Sequence, residues 1–283
     1  MQHNNNERRD GFTLIEMLIV APIVLVTIAT FVGVIIFITG EVLSSRANNS
    51  LAYNIQDALN TIEDDVRLSG AFLATNNVAI SSPQGYNNGT QSFQNAGSSN
   101  GEMLILNSMA TTNTYYSPNR KLIPLANAPN NCTSTQVNQN QMMTLNTIYF
   151  VKDNTLWKRT LLPSNYQTKG CNGAQPWQKP SCNAGTGGIC TTKDTKLVEL
   201  SNTSDSSLGF DIQYYTTPQS TAELTAASTG TNAATRQTAL RTASSVVVTI
   251  NATENVAGRS ISYSATLRAT RIGSLIEYAT PVP

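Results

Sequence analysis

The hydrophobic pattern of the chain begins with a long apolar run near the N-terminus. Residues 17–40 contain no charged side chain, and one acid, Glu16, stands directly before them. A helix rises about 1.5 Å per residue, so this run is long enough to cross a hydrocarbon core of roughly 30 Å. It is also longer than the apolar region of a secretory signal peptide, which has about 7–15 residues. The pattern therefore predicts a membrane-spanning helix.

Beyond Gly40 the apolar positions recur at spacings of three and four, which is typical of an amphipathic helix. The helix is predicted to end near Gly70, so that residues 12–69 form one continuous helix. Its acidic run at residues 63–65 is interpreted as a solvated face, because no basic or nucleophilic side chain is spaced to act with it. The apolar positions are Leu51, Ile55, Ala58, Leu59, Ile62 and Val66.

From residue 70 onward the pattern is typical of β-strands connected by loops. Polar stretches at residues 74–101 and 216–243 are predicted to be long loops. The fold class is therefore α+β, with a long N-terminal helix packed on a mainly antiparallel β-sheet domain. Strands are predicted at residues 102–109, 208–216, 244–253 and 259–270, and two more within residues 146–162 around a turn at Asp153-Asn154.

Composition narrows the functional classes. The chain has 283 residues, with 18 basic and 17 acidic side chains, and only 12% of its residues are charged. Low charge together with abundant amide and hydroxyl side chains favours an exported protein. Five arginines near the C-terminus are interpreted as decorating solvent faces and loops, so nucleic acid is not an expected partner. These arginines are Arg236, Arg241, Arg259, Arg268 and Arg271.

Glu16 poses an electrostatic problem, because an ionised carboxylate is expensive to bury in lipid and such an acid usually has a partner. Cleavage of the chain between Gly11 and Phe12 would create an α-amino group four residues before Glu16. This cation could pair with Glu16 of its own helix or of a neighbouring subunit. The second arrangement makes burial of the acid favourable only upon assembly, so a polymer explains its position.

The residues Gly11-Phe12-Thr13-Leu14-Ile15-Glu16 resemble the processing motif of type IV pilins and type II secretion pseudopilins, which also heads a hydrophobic helix. The resemblance implies a type IV pilin-like fold, a leader at residues 1–11, cleavage by a prepilin peptidase after Gly11 and N-methylation of Phe12. Glu16 would be the acid that docks subunits. The remaining segments would be a transmembrane and filament-core helix at 12–40, its amphipathic continuation at 41–69 and an exported β-rich domain at 70–283.

The order of the later segments resembles the larger minor pilins of the W type and the J-type minor pseudopilins. The shared cadence runs from DDVRLSG at the helix end through YFVKDNTLWKR to a closing pair that ends in ATLRAT. It implies a minor type IV pilin that primes or decorates a filament, with a J-type minor pseudopilin, or a tip adhesin or DNA-uptake pilin, as alternatives.

The same resemblance implies partners and a location. The implied partners are the prepilin peptidase, the major pilin, other minor pilins and the inner-membrane assembly platform. The protein would pass once through the inner membrane and then enter an extracellular pilus or a periplasmic pseudopilus.

Four cysteines lie in the predicted exported domain, where disulfides are the ordinary outcome. They are Cys132, Cys171, Cys182 and Cys190. Four cysteines allow three pairings, and sequential pairing is favoured because a bridge from Cys182 to Cys190 would pin a glycine-rich loop. Spacings of 39, 11 and 8 residues do not supply the closely spaced ligand pairs of a zinc site.

No catalytic constellation is present in the sequence. Residues 12–283 contain no histidine, and the chain has no P-loop, no Gly-x-Ser-x-Gly motif and no dinucleotide fingerprint. We therefore expect no enzymatic activity, no cofactor and no metal. Asp194, Asp205 and Asp211 are interpreted as solvated surface, because no loop with the EF-hand spacing contains them.

Overall fold

A computed structural model describes six segments of the chain and two compact units. One unit comprises residues 1–49 and 255–261, and the other comprises residues 50–254 and 262–283. The long N-terminal helix contributes residues to both units. The described segments are residues 13–78, 93–95, 103–126, 137–182, 190–200 and 209–272, with the backbone alone described for residues 126 and 137–141.

Helix α1 (Leu14–Leu68) contains the whole predicted apolar run. Within the first unit its large apolar side chains are exposed, including Phe31 and Ile36, each 67% exposed. Among the helices in the described part of the chain, α1 is the one that is long and apolar enough to cross a membrane. The helix is therefore consistent with a single-pass membrane anchor.

Within the second unit α1 is amphipathic. Each fully buried side chain of the Leu, Ile or Val type contributes about 1.5–3 kcal/mol to stability, so this face fixes the helix to the β-rich domain. The helix ends at Leu68 and Ser69 begins the first strand, close to the predicted stop at Gly70. The buried apolar residues are Leu51, Ile55, Ala58, Leu59, Ile62 and Val66, which are the predicted positions.

Twelve strands, three short α-helices and a 3₁₀ helix at Cys171–Gly173 follow α1 in the described part of the chain. The strands are β1 (Ser69–Phe72), β2 (Leu104–Met109), β3 (Pro124–Ala126), β4 (Val137–Met142), β5 (Thr144–Lys152), β6 (Thr155–Leu161), β7 (Ser181–Cys182), β8 (Thr192–Lys193), β9 (Thr195–Glu199), β10 (Phe210–Tyr215), β11 (Ser245–Val256) and β12 (Arg259–Thr270). The helices are α2 (Tyr166–Lys169), α3 (Thr225–Thr229) and α4 (Ala233–Thr242).

The strands form two larger sheets and two short pairs. The five-stranded sheet has the order β1-β2-β5-β6-β9, and its neighbouring strands all pair antiparallel. The three-stranded sheet has the order β10-β11-β12. Strands β3 and β4 form an antiparallel pair, and β7 and β8 form a parallel one. The predicted α+β class is confirmed, with a mainly antiparallel β-rich domain after the long helix.

The predicted hairpin of β5 and β6 is confirmed, and β11 and β12 form a second hairpin. Asp153 and Asn154, between β5 and β6, have φ of 51° and 53°. Between β11 and β12, Ala257 and Gly258 have φ of 51° and 77°. Two consecutive positive φ angles characterise the type I′ turn, whose twist matches that of the flanking strands.

The main hydrophobic core is formed by α1 together with both larger sheets. Ile55 of α1, Tyr149 of the five-stranded sheet and Ile212 of the three-stranded sheet are all buried in it. Side chains alternate between the two faces of a strand, so Ile148 and Phe150 point away from α1 into a second apolar cluster. The five-stranded sheet is therefore covered on both faces.

The prediction of a long loop at residues 216–243 is wrong, because this segment contains α3 and α4. The side chain of Asn232 caps α4 by accepting a hydrogen bond from the backbone amide of Thr235 at 2.9 Å. Leu240 is fully buried in the main core. Few apolar residues of this segment pack on the core, so the hydrophobic periodicity that would have indicated helices is weak. Most of the other predicted loop, residues 74–101, lies outside the described residues.

Candidate functional site

The N-terminal end of α1 holds Glu16 in a capping box. Thr13 donates two hydrogen bonds to a Glu16 carboxylate oxygen, from its backbone amide at 3.0 Å and from its hydroxyl at 2.8 Å. The backbone amide of Glu16 donates in return to the Thr13 hydroxyl oxygen at 3.4 Å. Such reciprocal bonds satisfy donors that the first helical turn leaves without intrahelical partners. Glu16 therefore stabilises the start of the helix.

This capping role was not predicted, although the sequence carries its signal. The spacing Thr13-x-x-Glu16 before an apolar run is the capping-box signature. Gly11 and Phe12, which flank the predicted cleavage position, lie outside the described residues. The pairing of Glu16 with the Phe12 amine and its role in docking subunits stay predictions.

The hydroxyl groups of the apolar run are satisfied inside the helix. Thr27, Thr30 and Thr39 each donate to the backbone carbonyl four residues earlier, at distances of 2.7–3.0 Å. Hydrocarbon offers no partner for a polar atom, and internal bonding of this kind makes a threonine compatible with lipid. The apolar run of α1 therefore presents a surface suited to lipid or to other apolar helices.

A buried charge cluster joins the second part of α1 to the five-stranded sheet. Asp65 is 2% exposed, accepts a hydrogen bond from the Tyr149 hydroxyl at 2.6 Å, and forms an ion pair with the Lys158 ammonium at 2.6 Å. Burial, and then the negative charge of Asp65, raise the pKa of Tyr149 well above its ordinary value, so the hydroxyl stays a donor. The interpretation of residues 63–65 as a solvated face is therefore wrong for Asp65. It shares the sheet-facing side of the helix with Ile62.

A second buried ion pair joins Arg159 of β6 to Asp194, which lies between β8 and β9. Nε of Arg159 lies 3.0 Å from both carboxylate oxygens of Asp194, and both side chains are buried. The hydroxyl of Ser181 donates to the same carboxylate at 3.0 Å. The interpretation of Asp194 as solvated surface is therefore wrong. Asp205 lies outside the described residues, and Asp211 is half-buried in β10.

Three of the five C-terminal arginines bind groups within the domain. Arg236 is 3% exposed in α4 and donates to the Asn95 side chain at 2.9 Å. Arg268 lies over the Tyr215 ring at 4.1 Å and donates to two backbone carbonyls, and Arg271 also donates to two backbone carbonyls. The interpretation of this set as solvent-facing decoration is wrong for Arg236, which lies in a helix whose inner face packs on the core.

The predicted bridge between Cys182 and Cys190 is present, with 5.7 Å between the Cα atoms. The two cysteines are eight positions apart in the chain. Their bridge lies beside the Arg159–Asp194 pair, because Ser181, next to Cys182, bonds to Asp194. Cys171 is also disulfide-bonded. Cys132, its predicted partner, lies outside the described residues.

Removing the bridge by changing both Cys182 and Cys190 to Ser is expected to lower the free energy of unfolding by about 2–3 kcal/mol, because a short closed loop no longer restricts the unfolded chain. The measurement is urea unfolding of the full chain in a nonionic detergent, followed by tryptophan emission. Both tryptophans, Trp157 and Trp177, belong to the β-rich domain. An unchanged unfolding midpoint and slope would show that the bridge contributes nothing.

Taken together, the described chain is a long apolar N-terminal helix followed by a β-rich domain, which is consistent with a pilin-like architecture. Within the described segments, no group of three or more His, Cys, Asp or Glu residues could hold a metal ion. Comparison of the chain with protein-family models, with curated protein sequences and with solved structures produced no match.

Proposed function

We propose that the protein is a minor type IV pilin, a structural subunit that primes or decorates a pilus filament after removal of residues 1–11. The observation that carries the proposal is the first part of α1. Its apolar side chains are exposed, its threonine hydroxyls are satisfied internally, and one carboxylate, Glu16, stands at its start. A helix of this kind needs lipid before assembly and other apolar helices afterwards.

Charge neutralisation explains how such a subunit could pass from membrane to filament. Cleavage before Phe12 would create an α-amino group with an ordinary pKa of about 7.7–8, which is largely protonated at neutral pH. A neighbouring subunit's Glu16 would neutralise this cation, and the resulting pair is much less costly in an apolar filament core than either ion alone. The proposed partners are therefore the prepilin peptidase, the major and minor pilins and the assembly platform.

The β-rich domain supports a structural role in a second way. Its core joins the second part of α1 to both larger sheets. The hydrogen bond and the ion pair of Asp65 hold α1 to the five-stranded sheet in addition. A subunit held in a filament by its helix needs such a firm attachment between that helix and the domain it carries. The J-type pseudopilin alternative uses the same helix, and it predicts a secretion defect instead of a pilus defect when the gene is deleted.

Processing provides the test. When the full chain is co-produced with a prepilin peptidase, we expect the mature protein to begin at Phe12 and to carry one added methyl group. Intact-mass measurement reads both features. Gly11→Leu is expected to abolish cleavage, because it places a bulky side chain directly before the proposed cleavage position.

The matched control is Gly40→Ala, because an added Cβ at Gly40 meets no atom within 4 Å. This variant is expected to be processed like the wild type. Protein that keeps Met1 in the presence of an active peptidase contradicts the proposed function.

A further inference from the structure

A groove of about 670 Å³ lies on the five-stranded sheet, next to the place where Asp65 pairs with Lys158. Thr147 lies opposite Thr160 in the β5–β6 ladder, and Lys158 lies opposite Thr195 in the β6–β9 ladder. Because side chains alternate along a strand, these four residues share one face of the sheet. Tyr149, which bonds to Asp65 of α1, lies opposite Lys158 on the same face, so the groove lies beside the part of the sheet that the helix contacts.

The groove combines positive charge with an exposed aromatic residue. Lys158, Lys179 and Lys193 line it, and none of the described residues that line it carries a carboxylate. Asp65 pairs with Lys158, whereas Lys179 and Lys193 are exposed to solvent and, among the described residues, neither forms an ion pair with a carboxylate. Trp177 lines the same groove and is 49% exposed.

One wall of the groove is held in place by hydrogen bonds to Thr111. The backbone amide of Trp177 donates to the Thr111 carbonyl at 2.8 Å. The side chain of the buried Gln178 accepts from the Thr111 amide at 3.1 Å and donates to its hydroxyl at 2.9 Å. The exposed tryptophan is thus carried on a fixed segment.

The opposite wall is fixed by a different set of bonds. The hydroxyl of Ser181 accepts from the backbone amide of Thr160 at 3.0 Å and donates to Asp194 at 3.0 Å. The bridge between Cys182 and Cys190 also holds the segment of Ser181 in place. A site whose walls are already ordered loses little conformational entropy when a ligand binds.

We propose that this groove binds an acidic oligosaccharide. The face of an indole ring packs against the C–H face of a pyranose ring. The exposed ammonium groups of Lys193 and of Lys179, which also donates to the Pro176 carbonyl at 3.3 Å, attract the carboxylate or sulfate of an acidic sugar. Threonine hydroxyls and the Gln175 amide supply partners for sugar hydroxyl groups. The volume lies within the range of about 300–1,000 Å³ that small-ligand sites occupy.

Single-stranded nucleic acid fits the groove less well. Sites for such strands normally set several aromatic side chains along a basic channel. Here the described lining contains one exposed aromatic residue, Trp177, and one half-buried one, Tyr115. The buried side chains of Arg159 and Arg236 bind groups within the domain. The groove therefore favours a short acidic ligand over a long polyanion.

The test is calorimetric titration of the full chain in a nonionic detergent. Tetragalacturonate is the acidic probe and maltotetraose is the neutral one. We expect tetragalacturonate to bind with a dissociation constant below about 1 mM and at least about tenfold more tightly than maltotetraose. Trp177→Ala is expected to weaken binding of tetragalacturonate by about tenfold or more. The double variant Lys179→Gln with Lys193→Gln should do the same and should also reduce the dependence of binding on salt.

The matched control is Lys121→Gln with Lys169→Gln, which removes two exposed lysines that do not line the groove. This variant has the same net charge as the groove variant and is expected to bind within about twofold of the wild type. Absence of saturable binding at about 5 mM tetragalacturonate overturns the proposal. Equal weakening by the control and groove variants also overturns it, because binding then reflects net charge alone.

A dT12 oligonucleotide provides the last arm of the experiment. Binding of dT12 that is tighter than that of tetragalacturonate and is lost in the groove variants would identify a nucleic-acid site and overturn the saccharide assignment. All measurements use the unprocessed chain, so their outcome is independent of whether the protein is a pilin.

Discussion

Asp65→Ala is expected to lower the free energy of unfolding of the β-rich domain by about 3 kcal/mol. Removing one member of a buried ion pair costs about 3–5 kcal/mol, because the other charge is left without a partner. The lower end applies here, since the Lys158 side chain is 23% exposed and its ammonium can recover some hydration from the adjacent groove. Tyr149 loses its main acceptor, and the Thr61 carbonyl at 3.3 Å replaces it only in part. Urea unfolding in detergent, followed by tryptophan emission, measures the change.

Asp64→Ala is the matched control, because Asp64 directly precedes Asp65 and carries the same charge but is only half-buried. Asp64 accepts a hydrogen bond from Tyr116, whose side chain is 80% exposed. Exposed interactions of this kind are worth at most about 1 kcal/mol, so this variant should unfold almost like the wild type. Asp65→Asn separates the two functions of the carboxylate, since it keeps an acceptor for Tyr149 but cannot neutralise Lys158. A loss smaller than that of Asp64→Ala would show that the cluster does not stabilise the domain.

Glu16→Gln is expected to reduce incorporation into filaments about as strongly as Glu16→Ala. The proposed function requires a negative charge that neutralises the Phe12 amine of a neighbouring subunit, and glutamine lacks that charge. Loss of such a pair leaves an uncompensated amine in an apolar filament core, for which a cost of about 3–5 kcal/mol corresponds to more than a hundredfold weaker assembly. Competition between tagged variant and wild-type subunits, followed by quantification of both in sheared filaments, measures incorporation.

Variants of the two capping-box residues distinguish a role of Glu16 in docking subunits from a role in stabilising the helix. Glutamine can replace glutamate in a capping box, so Glu16→Gln preserves much of the cap seen in the structure. Thr13→Ala removes the cap but keeps the carboxylate, at a cost of about 0.5–2 kcal/mol to the helix start. If Glu16 docks subunits, Thr13→Ala should assemble nearly normally and Glu16→Gln should not. The reverse ranking would assign Glu16 to helix capping and remove its role in assembly.

Local sequence signals determined the main elements of this fold. A charge-free run of residues 17–40 can satisfy its backbone in lipid only as a helix, and apolar spacings of three and four place the buried face of its continuation. The turn at Asp153-Asn154 tolerates positive φ, so the sequence also located the β5–β6 hairpin. These features depend on residues that are near one another in the chain. The capping box at Thr13 and Glu16 belongs to the same class, and its signal was present.

Only the tertiary structure determined which charged residues are buried and which partners they bind. Asp65 and Lys158 are 93 positions apart in the chain, and no local pattern indicates that a carboxylate beside two other acids is buried against a lysine on a strand. The same holds for Arg159 with Asp194 and for Arg236 with Asn95, whose burial depends on which elements pack together. The groove beside Lys158 likewise exists only because five strands, β5 to β9, and the segment of Trp177 converge. Hydrophobic periodicity reports which face of an element is buried, whereas a buried charge is stabilised by a partner that only long-range folding supplies.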